Sequence, residues 1–428
     1  MRDEVRFFEV TPRVVPAGRE SEIVVRPLYE HCRIEPGEAM EVRCFPCEEL
    51  GAGPVPRPID ARLEEGALRV RGVFEAEQEH VILVETAREG RRVVVGDFRV
   101  YSLEADLYAR RPYRGDLHMH SCRSDGREAP AYVAACCRRI GLDFMALTDH
   151  RRYEPSLEAM RAYEGVPIDL RLYPGEEVHP PANPVHMVNF GGSFSVNALF
   201  GDQERYEAGV RAVLERLGDP PPGVDAYQYA SCVWCFERIR EGGGLGIFCH
   251  PYWFTNHRYE PAGALTSHLL REQPYGALEV IGGYHLYETE SNALQVARYH
   301  EERAAGRRIP IVGVSDAHGC ERGELFGWYW TLVFARRCEL ADLIDAITDL
   351  HSVAVEALPG QAPRAHGPFR LAKYAQFLLR EVLPLHDALC EEEGRLMLAH
   401  VAGDGGAAER LAALRGQAAR LMERLLAG

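Results

Sequence analysis

The 428-residue chain has no run of about 18 apolar residues, the length a membrane-spanning helix needs, so no segment is expected to cross a bilayer. Its first ten residues, MRDEVRFFEV, hold no apolar stretch and no small-residue cleavage site, so no secretory leader is expected. It is also short of positive charge: 49 Lys and Arg against 64 Asp and Glu give 49 − 64 = −15. Such a surface is poorly suited to displacing the counterions of a nucleic-acid backbone, which argues against a nucleic-acid polymer and for a small-molecule partner. Small anionic substrates stay open if metal ions supply the positive charge. No internal repeat and no low-complexity segment is visible. The 12 cysteines are scattered, and without an export signal they are expected to be reduced thiols of a cytoplasmic protein.

What is present suffices for two or three domains with real cores: 46% of residues are hydrophobic and 26% charged. Residues 1–105 carry short β-branched or aromatic runs (VRFFEV, SEIVVRPL, MEVRCF, ALRVRGVF, EHVILVET, RRVVVGDFRVYSL) between Pro, Gly or charged turns. That pattern predicts a small all-β, sandwich-like domain. Over 106–365 short apolar strands alternate with helical stretches, the signature of parallel strands in an α/β barrel or wound sheet. Residues 366–428 read as C-terminal helices packed on that domain. The amphipathic stretch Ala407–Leu426 has a homo-oligomer contact as its alternative use.

The chemistry-bearing residues gather at the C-terminal ends of the predicted strands. His118 and His120 end GDLHMH, Asp149 and His150 end FMALTDH, and Glu176 and Glu177 fall in RLYPGEEVH. His250 ends GLGIFCH, and Asp316 and His318 end IVGVSDAH. In β/α barrels those ends converge on one face, where active sites are built. Imidazoles and carboxylates are costly to bury there unless paired or bound to metal. His-x-His on a strand aims both rings to one side, because the side-chain period is two. With 17 His, about 0.7 such pairs are expected by chance (17 × 17/428), so the weight lies in the ordered set.

That set is H-x-H (His118, His120), S-D-G (Ser124–Gly126), T-D-H (Thr148–His150), G-x-E (Gly175–Glu177), His186, H-P (His250, Pro251) and S-D-A-H (Ser315–His318). In this order it resembles the PHP (polymerase-and-histidinol-phosphatase) family of metallohydrolases over about residues 113–360. The opening RGDLHMHSCRSDG behind a β domain is most similar to the CehA/McbA-like branch. The resemblance implies a distorted (β/α)7 barrel with two or three divalent metal ions at its rim. The first ion would take His118, His120, Glu177 and Asp316; Glu177 would bridge to a second held by His186 and His250; the third would take Asp125, His150 and His318. Many relatives carry His where Asp125 stands, and an oxygen donor there leaves the metal open. Nine N/O donors without Cys suit Zn, Mn or Fe.

The function this implies is a metal-dependent phosphoesterase. It would hydrolyse a small phosphorylated substrate, a phosphomonoester or phosphodiester, by metal-activated hydroxide, with Glu177, His250 and Asp316 at the reacting centre. Arg151, His257, Arg258 and Arg322, just downstream of ligand segments, are candidate substrate contacts; His285 is another, as the end of ALEVIGGYH. Tyr252 could line the pocket. His179, two residues past Glu177, could point into the site. Asp149 is expected to hold a ligand in orientation rather than to bind metal. The alternative is a carboxyl-ester, carbamate or amide hydrolase on the same metal site, since the ligand set alone does not choose between phosphorus and carbonyl carbon. A non-catalytic binding protein, with the β domain as its working part, is the third reading; all nine matching positions being filled argues against it. Cys44–Cys47 and Cys232–Cys235 lack a thioredoxin-like setting, and Gly242–Gly246 lacks the Lys-Ser/Thr of a P-loop.

Overall fold

A computed structural model describes residues 1–34, 40–48, 55–88, 91–321 and 325–426. The chain divides into two compact units. One is Met1–Arg111 with Lys373–Leu389 and Gly416–Gly428; the other is Pro112–Ala372 with Cys390–Arg415. The helical tail expected as one body is thus shared between both. The single amphipathic stretch expected over Ala407–Leu426 is two helices, Ala407–Leu414 and Gln417–Leu426. Gly416 between them has φ +73°, a left-handed turn that glycine adopts at low cost.

The N-terminal unit holds two four-stranded sheets. One runs Phe8–Thr11, Glu20–Pro27, Ala67–Val73, Asp60–Glu64; the other runs Val14–Pro16, Arg91–Leu103, Gln78–Arg88, Glu41–Pro46. Alternate residues turn inward, as a two-residue period requires. Phe8, Val10, Ile23, Val25, Leu68 and Val70 from the first sheet join Val15, Ile82, Val84, Phe98 and Val100 from the second in one buried cluster. Both tail segments of this unit are tied to Arg13. Its guanidinium lies 3.0 Å from the Glu381 carboxylate, both side chains fully buried, and its amide donates to Leu425 O at 2.7 Å. Burial lowers the Arg13 pKa to about 10, with Glu381 opposing the shift.

The other unit is mixed α/β. Strands Arg171–Tyr173, Phe144–Ala146, Arg111–Asp116, Tyr329–Ala335, Ser352–Glu356 and Arg364–His366 form a six-stranded sheet in that order. Gly175–Val178, Met187–Phe190, Leu245–Phe248, Ala277–Gly282 and Ile311–Val314 form a five-stranded one. Two features differ from the expected barrel of parallel strands. First, among the described residues these strands form two open sheets rather than one closed barrel, beside a separate two-stranded hairpin of Trp253–Thr255 and Arg258–Glu260. Two isolated parallel bridges, Met119 to Ala317 and His150 to Glu177, link segments that follow strands of one sheet to segments of the other. Second, Met187–Phe190 pairs antiparallel on both sides. Only residues 179–186 separate it from Gly175–Val178, too few for the crossover a parallel partner needs. Leu117, Phe144, Ala146, Val188, Ile247, Val312 and Val333, drawn from both sheets and the segments that follow them, share one apolar core.

Candidate metal centre

The centre is built where the strands end. Past the strand Arg111–Asp116, Met119 bridges to Ala317, and His118 and His120 on either side of it are both buried. This segment lies beside the one past Ile311–Val314: Asp316 N donates to His118 O at 2.9 Å, and His120 N to Ala317 O at 2.9 Å. Asp116 clamps the two, accepting from His118 N and Ser315 N; burial pushes its carboxyl up to about 7 against these hydrogen bonds. Asp316 Oδ1 then sits 2.8 Å from His120 Nε2 and 3.3 Å from His118 Nε2.

Thr148 and Asp149 place the next donors. Thr148 N donates to Met119 O, and Asp149 Oδ1 accepts from the amides and hydroxyls of both Ser121 and Ser124 at 2.8–3.0 Å. Asp149 so pins the turn that carries Asp125. Gly126 lies against the His120 backbone, where an added Cβ would stand 2.7 Å from the carbonyl. Asp125 Oδ2 is 3.3 Å from His150 Nε2, and its Oδ1 is 3.4 Å from His318 Nε2.

Glu177 is the hub. Its Oε2 faces His118 Nε2 at 3.6 Å, His120 Nε2 at 3.7 Å, His179 Nε2 at 3.3 Å, and His150 Nδ1. Its Oε1 faces His186 Nδ1 at 2.8 Å and His250 Nε2 at 3.6 Å. His186 reaches the rim because its strand is reversed, so that the N-terminal end, not the C-terminal one, lies beside His250. His250 and Asp316 have φ of +26° and +51°, conformations unusual for residues other than glycine and concentrated at functional sites. The nine residues singled out in the sequence are thus brought together.

The donor set fits divalent cations. His118 Nε2, His120 Nδ1, His186 Nδ1 and both Glu177 oxygens are buried without a hydrogen-bond partner, an arrangement that costs about 1–3 kcal/mol per group if nothing compensates it. The donor separations above, 2.8–3.7 Å, match the edges of a coordination polyhedron: bonds of about 2.0–2.1 Å give edges of about 3.0 Å for an octahedron and about 3.3 Å for a tetrahedron. Protonation of the carboxylates agrees. Burial alone would raise Glu177, but the imidazoles around it, His186 foremost, hold it well below the usual carboxylate range. Asp316 is likewise held low, by His118 and His120 against burial. Burial lowers His186 to about 4 and also lowers His120, whereas the facing carboxylates raise His118, His150 and His250 against burial. Ionised carboxylate and neutral imidazole are the forms that bind metal, so those three rings would shed a proton as a cation enters.

A cavity of about 490 Å³ opens on this cluster. His150, His186, His250, Asp316 and His318 line it together with Trp253, Tyr284, His285, Tyr287 and Glu288. Trp253 and Tyr287 are 38% and 81% exposed, and the His285 and Tyr287 rings stack at 5.4 Å. Among the described residues no Arg or Lys lines it. Of the candidate substrate contacts, His285 is on the wall. Arg151 and His257 are exposed and do not line the cavity, and neither does Arg258, whose guanidinium pairs with Glu260 at 2.7 Å. Arg322 lies outside the described residues. Tyr252 packs edge-on against Tyr259, and it is Trp253 that reaches the cavity. A larger groove in the N-terminal unit, about 780 Å³, is lined by Arg2, Glu79, Asp97, Arg99 and Arg380, whose charges pair with one another.

Glu279 escaped the sequence reading. It is fully buried, and its Oε2 lies 3.2 Å from His118 Nδ1, fixing which nitrogen of that ring faces the cluster. The available signal was a lone carboxylate inside the apolar run ALEVIGG.

No family model matches the chain. Over 57 residues, 13% of its length, it is 39% identical to the DNA polymerase/3'-5' exonuclease PolX of Bacillus subtilis (strain 168), and that stretch is 10% of the relative. Among solved structures it is similar to a two-domain Bacteroides vulgatus protein described as "containing predicted PHP-like metal-dependent phosphoesterase". The identity is 19% and the TM-score 0.40, over 57% of this chain and 65% of that one. It is also similar to an amidohydrolase from Chromobacterium violaceum with bound sulfate, at 22% identity and TM-score 0.30, over 50% of this chain and 89% of that one. The chain thus spans a tenth of that curated relative and just under two thirds of the two-domain structure.

Proposed function

We propose that the chain is a metal-dependent phosphoesterase of the PHP type, in its CehA/McbA-like branch, acting on a small phosphorylated molecule. The observation that carries this reading is Glu177: a fully buried carboxylate whose two oxygens face six imidazole nitrogens and accept no hydrogen bond. In this reading the two open sheets are arcs of the distorted seven-stranded barrel, and the N-terminal sheets are a sandwich-like module.

His118, His120, Glu177 and Asp316 would hold one cation, Glu177, His186 and His250 a second, and Asp125, His150 and His318 a third, of the Zn, Mn or Fe kind. Bound there, such ions lower the pKa of water toward neutrality and offset charge on the attacked group and its leaving oxygen. The chain's own part is to keep Glu177 and Asp316 ionised, to hold His118 in one orientation through Glu279, and to pin the Asp125 turn through Asp149. Among the described residues the cations of the cluster are what would neutralise charge at the substrate.

A second reading, hydrolysis of a carboxyl ester, carbamate or amide, is favoured by the aromatic part of the cavity wall: Trp253, Tyr284 and Tyr287 suit a substrate with an apolar group. A colorimetric panel on metal-loaded protein separates the two. Turnover of p-nitrophenyl phosphate or bis-p-nitrophenyl phosphate supports the first; turnover of p-nitrophenyl acetate alone replaces it with the second.

A further inference from the structure

We propose that His179 is a tenth donor of the cluster, ligating a divalent cation together with Glu177 and His150 on the cavity side. This goes beyond the nine-residue set and rests on the metal-hydrolase reading. Glu177 and His179 are two apart at the end of a strand, so their side chains leave on the same side. His179 Nε2 stands 3.3 Å from Glu177 Oε2 and 3.0 Å from His150 Nδ1. Those are again polyhedron edges for bonds of about 2.0–2.1 Å. A proton shared between the two rings would account for one of these approaches. One proton on His150 Nδ1 could go to His179 Nε2 or to Glu177 Oε2, which also faces it, but not well to both, and Glu177 Oε2 has no hydrogen-bond partner as it stands. A cation among the three atoms satisfies all of them; because a neutral imidazole offers one lone pair, His150 would then serve this cation through Nδ1 instead of the one beside Asp125 and His318.

The backbone under His179 is held as a ligand's would be. Its amide donates to Asn197 Oδ1 at 3.1 Å, while Asn197 Nδ2 donates to Glu177 O at 2.9 Å and to Glu176 Oε2 at 2.8 Å. One asparagine therefore fixes the spacing of residues 177 and 179. The ring packs 3.9 Å from that of His186, and the side chain, 13% exposed, lines the cavity. Two imidazoles and a carboxylate define the ligand class: a divalent ion of the Zn, Fe or Mn type rather than Mg or Ca.

The experiment compares wild type, His179→Ala, His179→Gln and His120→Ala, each loaded with zinc and dialysed against graded chelator, with metal per chain read by elemental analysis. Cobalt-substituted samples add the visible ligand-field spectrum, and circular dichroism of the metal-free proteins checks the fold. Both His179 variants should keep the fold, release one class of ion at a chelator concentration at least about tenfold lower than wild type, and show an altered cobalt spectrum. Metal content, release midpoint and spectrum all matching wild type would overturn the proposal; a loss of turnover alone would then make His179 a positioning residue. If wild type takes up no ion, or His120→Ala releases its metal no sooner than wild type, the metal-hydrolase reading fails instead, and the His179 ligand with it.

Discussion

Glu176 and Glu177 are adjacent on one four-residue strand, both fully buried, and they live in opposite environments. Glu176 accepts from Asn189 Nδ2 (3.2 Å), Ser195 Oγ (2.6 Å), Val196 N (2.5 Å) and Asn197 Nδ2 (2.8 Å). Glu177, on the other side, faces only imidazoles and accepts nothing. The first carboxylate is part of the scaffold: it knots residues 195–197 to the strand with neutral donors. The second is a charge that meets ring nitrogens but no amide or hydroxyl donor, which a fold tolerates only where something else binds. Burial alone does not tell scaffold from site; the kind of partner does.

The largest effect expected from breaking this contrast is in Glu177→Gln. It removes the bridging charge and should cost on the order of 10³-fold or more in kcat/KM, with a fall in bound metal seen by elemental analysis, while circular dichroism stays native. Glu176→Ala should do the reverse. Four donors lose their acceptor, so denaturant melts should show a loss of about 3 kcal/mol, while metal per chain stays within error of wild type. If Glu176→Ala emptied the centre as thoroughly as Glu177→Gln, the division of labour would be wrong.

His80 sharpens the same distinction for imidazoles. It is buried in the N-terminal unit, its Nε2 is 2.8 Å from Ser102 Oγ, and burial, with Arg57 adding to it, lowers its pKa to about 4. Its folded pKa is below the unfolded value of about 6.5, so between those limits the unfolded chain binds more protons. Stability should therefore fall as pH drops from about 6.5 to 4, by up to about 3 kcal/mol. Melts of wild type and His80→Leu across that range check it; the variant should lack this part of the slope. The smallest effect belongs to Arg258→Ala: an exposed guanidinium paired with Glu260 and off the cavity should change kcat/KM by less than about twofold.

Much of the centre was legible because its donors sit at strand ends, where a two-residue period and a short apolar run announce both position and direction. His118, His120, Asp316 and His318 are of this kind. His186 could be named by its place in the ordered set, but its geometry could not: the reversal of Met187–Phe190 follows from a short connection, which composition does not display. Glu279 was hidden by its own strand, since one acid among apolar residues reads as a break in pattern until the ring it orients is seen. The cavity wall was legible only in part. His285 was named from its strand end, whereas Trp253 opens a short two-stranded hairpin and Tyr287 lies in a single 3-10 turn, and the placing of both depends on tertiary packing. The β/α alternation left barrel and wound sheet open, and the barrel was what the family resemblance implied; alternation reports strand and helix order but not where neighbouring strands part.

The tail carries a consequence for how this gene can be cut or rearranged. The polypeptide passes from one unit to the other at 111/112, 372/373, 389/390 and 415/416. A fragment ended at the first junction would omit Glu381 and leave the Arg13 guanidinium without its counter-charge, besides losing the carbonyl of Leu425. No single scission yields two complete bodies, so the halves cannot be expressed, swapped or inherited as separable cassettes.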